Sequence, residues 1–189
     1  MPLSSEASHK ILTIFPTVNF SPPCGKVKFT VGGESIGPPP PPPPPPPSST
    51  IRADFETGTL DSWELSWGSL SVANATDQHF TGLRSLKLTF TGGGWPAARM
   101  RATTGAAAGK LVTFHVYRPP LAPGAVGVLP YVSDSGWSNR YGPETALVAG
   151  WNTVTYVVPA GTPAPLQAIG LQVADHGWPG SLYVDAVAW

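Results

Sequence analysis

From Ile51 onward, apolar residues fall in short runs, many alternating with polar ones: Ile51 to Phe55, Trp63 to Ala73 with a break near Gly68, Ser85 to Phe90, Ala97 to Arg101, Leu111 to Tyr117, Val126 to Val132, Asn152 to Val158, Ala168 to Val173 and Leu182 to Val187. Glycine and proline punctuate the gaps. A period of two sends successive side chains to opposite faces, so each run reads as a strand with one buried face. No segment carries the spacing of a helix. So many strands in so short a stretch predict an all-β fold, a two-sheet β-sandwich of the jelly-roll kind.

The chain before these runs is different. Residues 1–37 mix serine, proline and scattered apolar pieces, and only Gly25 to Val31 alternates; a lone strand has nothing to pair with. This segment is expected to be disordered, or the remnant of an upstream domain. The unbroken prolines from Pro38 to Pro47 dictate an extended polyproline helix, about 3.1 Å per residue and so roughly 30 Å long. Residues 38–50 then form a stiff linker ahead of a β-sandwich module at 51–189, though a proline run can also serve as a ligand for SH3-like or profilin-like readers.

Composition narrows the partner. The 189 residues carry 11 basic and 11 acidic side chains, and charged residues make up only 12%. That balance argues against nucleic acid and anionic membrane surfaces. No run approaches the roughly 18 apolar residues of a membrane span, and ILTIF near the start is a poor signal-peptide core. The single Cys24 excludes an internal disulfide and says nothing of compartment. A neutral partner, held by stacking and neutral hydrogen bonds, fits best.

Three segments share one pattern, a short strand running into a Gly-Trp turn: LTFTGGGW ending at Trp95, PYVSDSGW ending at Trp137 and LQVADHGW ending at Trp178. Glycine before tryptophan permits a positive φ, and an indole on such a turn is badly placed to reach a core. Gly109 to Trp137 and Gly150 to Trp178 are equally long, which places Trp137 and Trp178 in equivalent positions on neighbouring strands. Alternation turns Tyr131 and Gln172 away from the core, and Arg99 and Arg101 likewise. Aromatic faces cover the C–H side of a pyranose while amide and guanidinium groups bond its hydroxyls, so Trp95, Arg99, Arg101, Tyr131, Trp137, Gln172 and Trp178 are the candidate carbohydrate-binding residues. The competing readings are that the indoles plug the ends of the sandwich and that the arginines guard an edge strand. Trp63, Trp151 and Trp189, at the ends of alternating strands, are expected in the core.

Carboxylates form two further groups. Asp185 lies in the apolar last strand, where an unpaired charge costs several kcal/mol if buried. If the first and last strands pair, Asp185 meets Glu56, and with turn carbonyls the two could ligate Ca²⁺; an arginine partner or simple exposure would serve instead. Asp134 and Asp175, with Glu144 and His176, are the only arrangement that could support a glycosidase or lyase, which needs paired carboxyl groups. More simply, both aspartates are Asp-x-Gly turn residues bonding their own backbone.

DFETG-x-x-x-x-W (Asp54 to Trp63), TGLRSLKLTF (Thr81 to Phe90), GGGWPAARM, GWNTVTYVV (Gly150 to Val158) and the closing YVDAV resemble the galactose-binding-like jelly-roll carbohydrate-binding modules attached to bacterial mannanases, cellulases and xylanases. The resemblance covers Ile51 to Trp189. It implies a module that is not an enzyme, binding a neutral β-linked polysaccharide of mannan, glucan or xylan type on a concave sheet, with β-mannan or β-glucan preferred. It also implies an extracellular location, a tethered glycoside hydrolase, and a structural Ca²⁺ on side chains matching Glu56 and Asp185. In such modules the loop matching Thr81 to Ser85 contributes to the calcium, and here only Ser85 or carbonyls could do so. The alternative from another class is an adhesion or assembly domain of a surface or filament protein, whose tryptophans would grip a protein partner.

Overall fold

The computed structural model describes residues 50–189. The expectations for residues 1–37, for the strand at Gly25 to Val31 and for the proline run lie outside the described residues. Twelve strands form: β1 (Ile51–Ala53), β2 (Trp63–Trp67), β3 (Leu70–Ala75), β4 (Ser85–Phe90), β5 (Ala97–Met100), β6 (Leu111–Arg118), β7 (Gly127–Ser133), β8 (Asn139–Tyr141), β9 (Thr145–Ala146), β10 (Gly150–Val157), β11 (Ala168–Ala174) and β12 (Gly180–Ala188). They make two six-stranded sheets, the first ordered β10-β6-β12-β4-β3 with β1 on β12, the second β2-β5-β11-β7-β8 with β9 on β7. Every pairing is antiparallel. The all-β sandwich expected from the alternation is the fold the chain adopts. Only β8 and β9 were not foreseen, being too short to show a period.

The alternation sorts the faces. In β6, Val112, Phe114 and Val116 point into the core while Thr113, His115 and Tyr117 stand on the other face. In β11, Ile169, Leu171 and Val173 enter the core and leave Gly170 and Gln172 on the outer face of the second sheet. Leu86, Leu88, Met100, Leu182 and Val184 complete the interior, joined by Trp63 and Trp189.

Trp151 does not join them. It pairs with Tyr117 and packs on the outer face of the first sheet, 5.4 Å from the Tyr117 ring and 5.6 Å from Phe80. Parity explains the correction: Val154, Tyr156 and Val158 are buried, so the odd positions of β10 face out.

The second sheet carries an unusual cross-strand row, Glu64, Arg99, Gly170, Tyr131 and Tyr141, in register over five strands. Gly170 explains how a tyrosine fits there: a Cβ on it would stand 2.5 Å from Cε1 and Cζ of Tyr131 and 2.6 Å from the Ala98 carbonyl oxygen. The ring therefore occupies the space that a side chain at position 170 would take. Gly170→Ala is expected to destabilise the fold by about 2 kcal/mol through overpacking; a denaturation midpoint equal to wild type would contradict this seating of Tyr131.

Candidate functional site

The Asp-x-Gly-Trp turns are built by their aspartates. Asp134 Oδ1 accepts the N–H of Gly136 at 2.9 Å and of Ser138 at 3.0 Å, while Oδ2 meets Arg140 at 3.1 Å. Asp175 Oδ1 accepts Gly177 and Gly93, each at 3.0 Å, and Oδ2 accepts Gly94 at 3.3 Å. In both turns the tryptophan N–H closes back on the aspartate carbonyl, at 2.9 Å. Burial works to raise both carboxyl pKa values, but the converging N–H groups outweigh it, with Arg140 adding at Asp134, and both are lowered. Asp175 thus ties its own turn to the Gly92–Gly94 turn that carries Trp95.

Positive φ falls on Trp95 (45°) and Trp137 (63°) themselves, not on the glycines immediately before them. Such a conformation costs a non-glycine residue on the order of 1 kcal/mol and persists where the surroundings enforce it. The outcome is exposure: Trp95 is 37% and Trp137 46% exposed. In the third turn the positive φ lies at His176 and Gly177, and Trp178 goes the other way. It packs edge-on against Phe90 at 5.5 Å, half-buried at the margin of the core and over Gly180, where a Cβ would collide with the indole.

Between Trp95 and Trp137 lies an aromatic cluster of Trp67, Tyr131 and Tyr141. Trp67 lies 5.5 Å from Tyr131 and 6.4 Å from Tyr141, and Tyr131 lies 5.4 Å from Tyr141. Tyr131 is on the outer face as expected, but it is fully buried beneath these neighbours, which makes it the floor and leaves contact to Trp67 and Tyr141. Burial pushes the Tyr131 hydroxyl up to about 12, and Ser66 lies near enough to oppose the rise without closing a hydrogen bond. At one end, the Trp95 carbonyl accepts both Trp67 Nε1 and Gln172 Nε2 at 3.0 Å. Trp95 also meets His176 edge-on at 5.5 Å, and His176 Nε2 sits 3.1 Å from Glu144 Oε1. At the other end, Arg99 and Arg101 hold their guanidinium carbons 5.2 Å from the centre of Trp137.

Strand direction sets the span. β7 and β11 are antiparallel, with Ser133 beside Ala168 and Gly127 beside Ala174, so the turns after them leave at opposite ends of the sheet. Trp137 and Trp178 are therefore not neighbours, and the equivalence drawn from the repeat is a local one. Trp95 and Trp137 stand at the two ends of one face, roughly 20 Å apart at about 3.3 Å per residue. The same geometry separates Asp134 from Asp175 by more than about 20 Å, whereas a glycosidase pair stands roughly 5 to 9.5 Å apart. Their oxygens are occupied as turn braces, so Asp134 and Asp175 do not form such a pair.

Glu56 and Asp185 do converge. Asp185 Oδ2 accepts the N–H of Phe80 (2.7 Å) and Thr81 (2.9 Å), and Oδ1 that of Ala186 (2.6 Å). Glu56 accepts Leu83 and Arg84, and Gly82 lies so close that a Cβ would collide with its carboxylate. Burial raises the Asp185 pKa, and the charge of Glu56 adds to the rise against the N–H groups. No lysine or arginine pairs with either carboxylate among the described residues. Two adjacent carboxylates lacking a cationic partner fit the charge of a bound cation, although the loop at 80–84 turns N–H groups toward them.

Trp67 and Tyr141 are the residues the sequence concealed. Counting by twos from buried Trp63 sends Trp67 inward, but the β2–β5 register shifts between Leu65 and Trp67, and that bulge turns the indole out. Tyr141 sits in three-residue β8, and its signal was only its place just beyond Trp137.

No protein-family model matches the chain, and no curated protein matches it. Solved structures do. A carbohydrate-binding module described as from the β-sandwich superfamily superposes with a TM-score of 0.59 at 29% identity, covering 74% of this chain and 61% of that one; this chain thus spans about three fifths of that chain's length. A xylan-binding domain of family 22 gives 0.54 at 16% identity over 76% of this chain and 95% of its own. The C-terminal family 22 carbohydrate-binding module of Clostridium thermocellum Xyn10B gives 0.51 at 17% identity over 72% and 88%. The described domain has the jelly-roll β-sandwich fold of carbohydrate-binding modules.

Proposed function

We propose that this domain is a non-catalytic module that binds a neutral β-linked polysaccharide along the outer face of the second sheet. The observation that carries the proposal is the presence of Trp137, Trp67, Tyr141 and Trp95 on one face, with polar groups at both ends. Stacking needs flat apolar surface next to hydrogen-bonding groups, and affinity of that kind depends weakly on salt. Xylan, mannan and glucan are the ligands to compare, two of the superposed domains being described as family 22 modules and one of those as xylan-binding. An extracellular setting and a tethered glycoside hydrolase belong to the same proposal: a module on a stiff spacer raises an enzyme's local concentration on its substrate. The adhesion alternative would place a protein partner on the same face.

Calcium joins the proposal at Glu56 and Asp185, with backbone oxygens of the neighbouring loop as further ligands. The ion would neutralise two adjacent carboxylates and fasten that loop to the terminal strands.

Electrophoresis through gels containing each polysaccharide tests the binding face. Trp67→Ala and Trp137→Ala are each expected to weaken retention about tenfold, near 1.4 kcal/mol. Trp178→Ala should retain binding while losing about 2 kcal/mol of stability. Unchanged retention in both of the first two variants would overturn the proposed site.

The lowered pKa of Asp175 adds stability that is fully present above the ordinary carboxylate range and lost as pH falls through the folded value. Asp175→Asn is therefore expected to be less stable than wild type by about 1–2 kcal/mol at pH 7, with the gap closing as pH falls below the ordinary carboxylate range. A gap independent of pH would show that the carboxylate charge does not hold the turns.

Adding Ca²⁺ after chelation is expected to raise Tm by about 5–10 °C, a response absent from Asp185→Asn. An identical Tm in chelator and in calcium would mean that the N–H groups alone stabilise the two carboxylates.

A further inference from the structure

The Trp137 end of the face holds more positive charge than its surroundings require. Glu64 Oε1 accepts Arg99 Nε at 2.8 Å and Arg101 Nε at 2.6 Å, so one carboxylate answers two guanidinium groups. The nearby Asp134 is spent on Arg140 and on its own turn. One positive charge is left over, on a chain whose formal net charge is zero.

The arginines are not guards of an exposed edge. β5 lies inside the second sheet, between β2 and β11, where no open ladder needs protection. Both are held through Nε, and among the described residues no hydrogen bond occupies their terminal nitrogens. The centre of the Trp137 ring lies 5.2 Å from both guanidinium carbons, and the Arg101 side chain is 50% exposed. The planar pair of N–H donors of a guanidinium, beside an exposed indole, matches a carboxylate in two-point contact.

We propose that this end is a subsite for a sugar bearing a carboxylate, a uronic acid residue or side group of the bound polysaccharide. Trp137 stacks on the sugar ring and Arg101, backed by Arg99, takes the carboxylate. Glu64 orients both arginines and limits their surplus to a single charge. The assignment rests on the proposal that this face binds polysaccharide, and it refines that ligand from wholly neutral to neutral in its backbone with acidic substitution.

The test is calorimetric titration of the intact chain with four oligosaccharides sharing one backbone: unsubstituted, uronate-substituted, the methyl ester of that uronate, and sulfate-substituted. The uronate form is expected to bind about tenfold tighter than the ester at low salt, the advantage shrinking as salt screens the charge. Arg101→Gln should reduce the uronate-to-ester ratio toward one, and Glu64→Gln, which frees a second charge, should increase it. Equal affinity for uronate and ester, with the unsubstituted chain still bound, overturns the acidic subsite and leaves polysaccharide binding standing. Failure to bind any of the four, on xylan, mannan and glucan backbones alike, overturns polysaccharide binding itself. Sulfate bound as tightly as uronate overturns the carboxylate assignment in favour of an unselective anion site.

Discussion

A tyrosine ring lying on a glycine organises this face. Gly170 is the one position in its cross-strand row with no side chain, and Tyr131 fills the space that a Cβ would take. With that ring seated over Gly170, Trp67 reaches it from β2 and Tyr141 from β8, bridging a sheet that would otherwise present separate side chains. The result is aromatic surface on the side of the sheet away from the core. Apolar area left against water is unfavourable unless something covers it, and here it lies across the strands between the turns of Trp137 and Trp95.

The two ends depend on carboxylates whose work is structural. Asp134 and Asp175 each gather backbone N–H groups, and each holds a turn whose following tryptophan would otherwise relax. The same residue type has a different consequence in each case. At Asp134 the turn throws Trp137 outward; at Asp175 the neighbouring turn throws Trp95 outward while Trp178 settles against Phe90. Asp185 and Glu56 use the same chemistry elsewhere, but there two carboxylates share one place, and the Asp185 pKa rises instead of falling.

Much of the fold was legible because it rests on alternation, which survives in Val112, Phe114 and Val116 as clearly as in Ile169, Leu171 and Val173. The Asp-x-Gly turns were legible too, since their bonding is local. What alternation cannot carry is a change of parity. One bulge between Leu65 and Trp67 reversed the face of an indole that became central, whereas Trp151 stands outside on the unbroken parity of β10. Strand direction was the other missing quantity: the repeat showed that Trp137 and Trp178 close similar turns, but only the antiparallel pairing of β7 with β11 shows those turns at opposite ends. Tyr131 was placed on the correct face, yet its complete burial depended on neighbours from β2 and β8 that no local pattern connects to it.

The most direct test of the central claim is a titration of the folded chain with a soluble β-linked oligosaccharide, followed through the indole N–H resonances. Progressive shifts at Trp67, Trp95 and Trp137, with Trp63, Trp151 and Trp178 unmoved, are what the account requires. Shifts confined to Trp151 on the opposite sheet, or none at any indole with oligosaccharides of every backbone class, would contradict it.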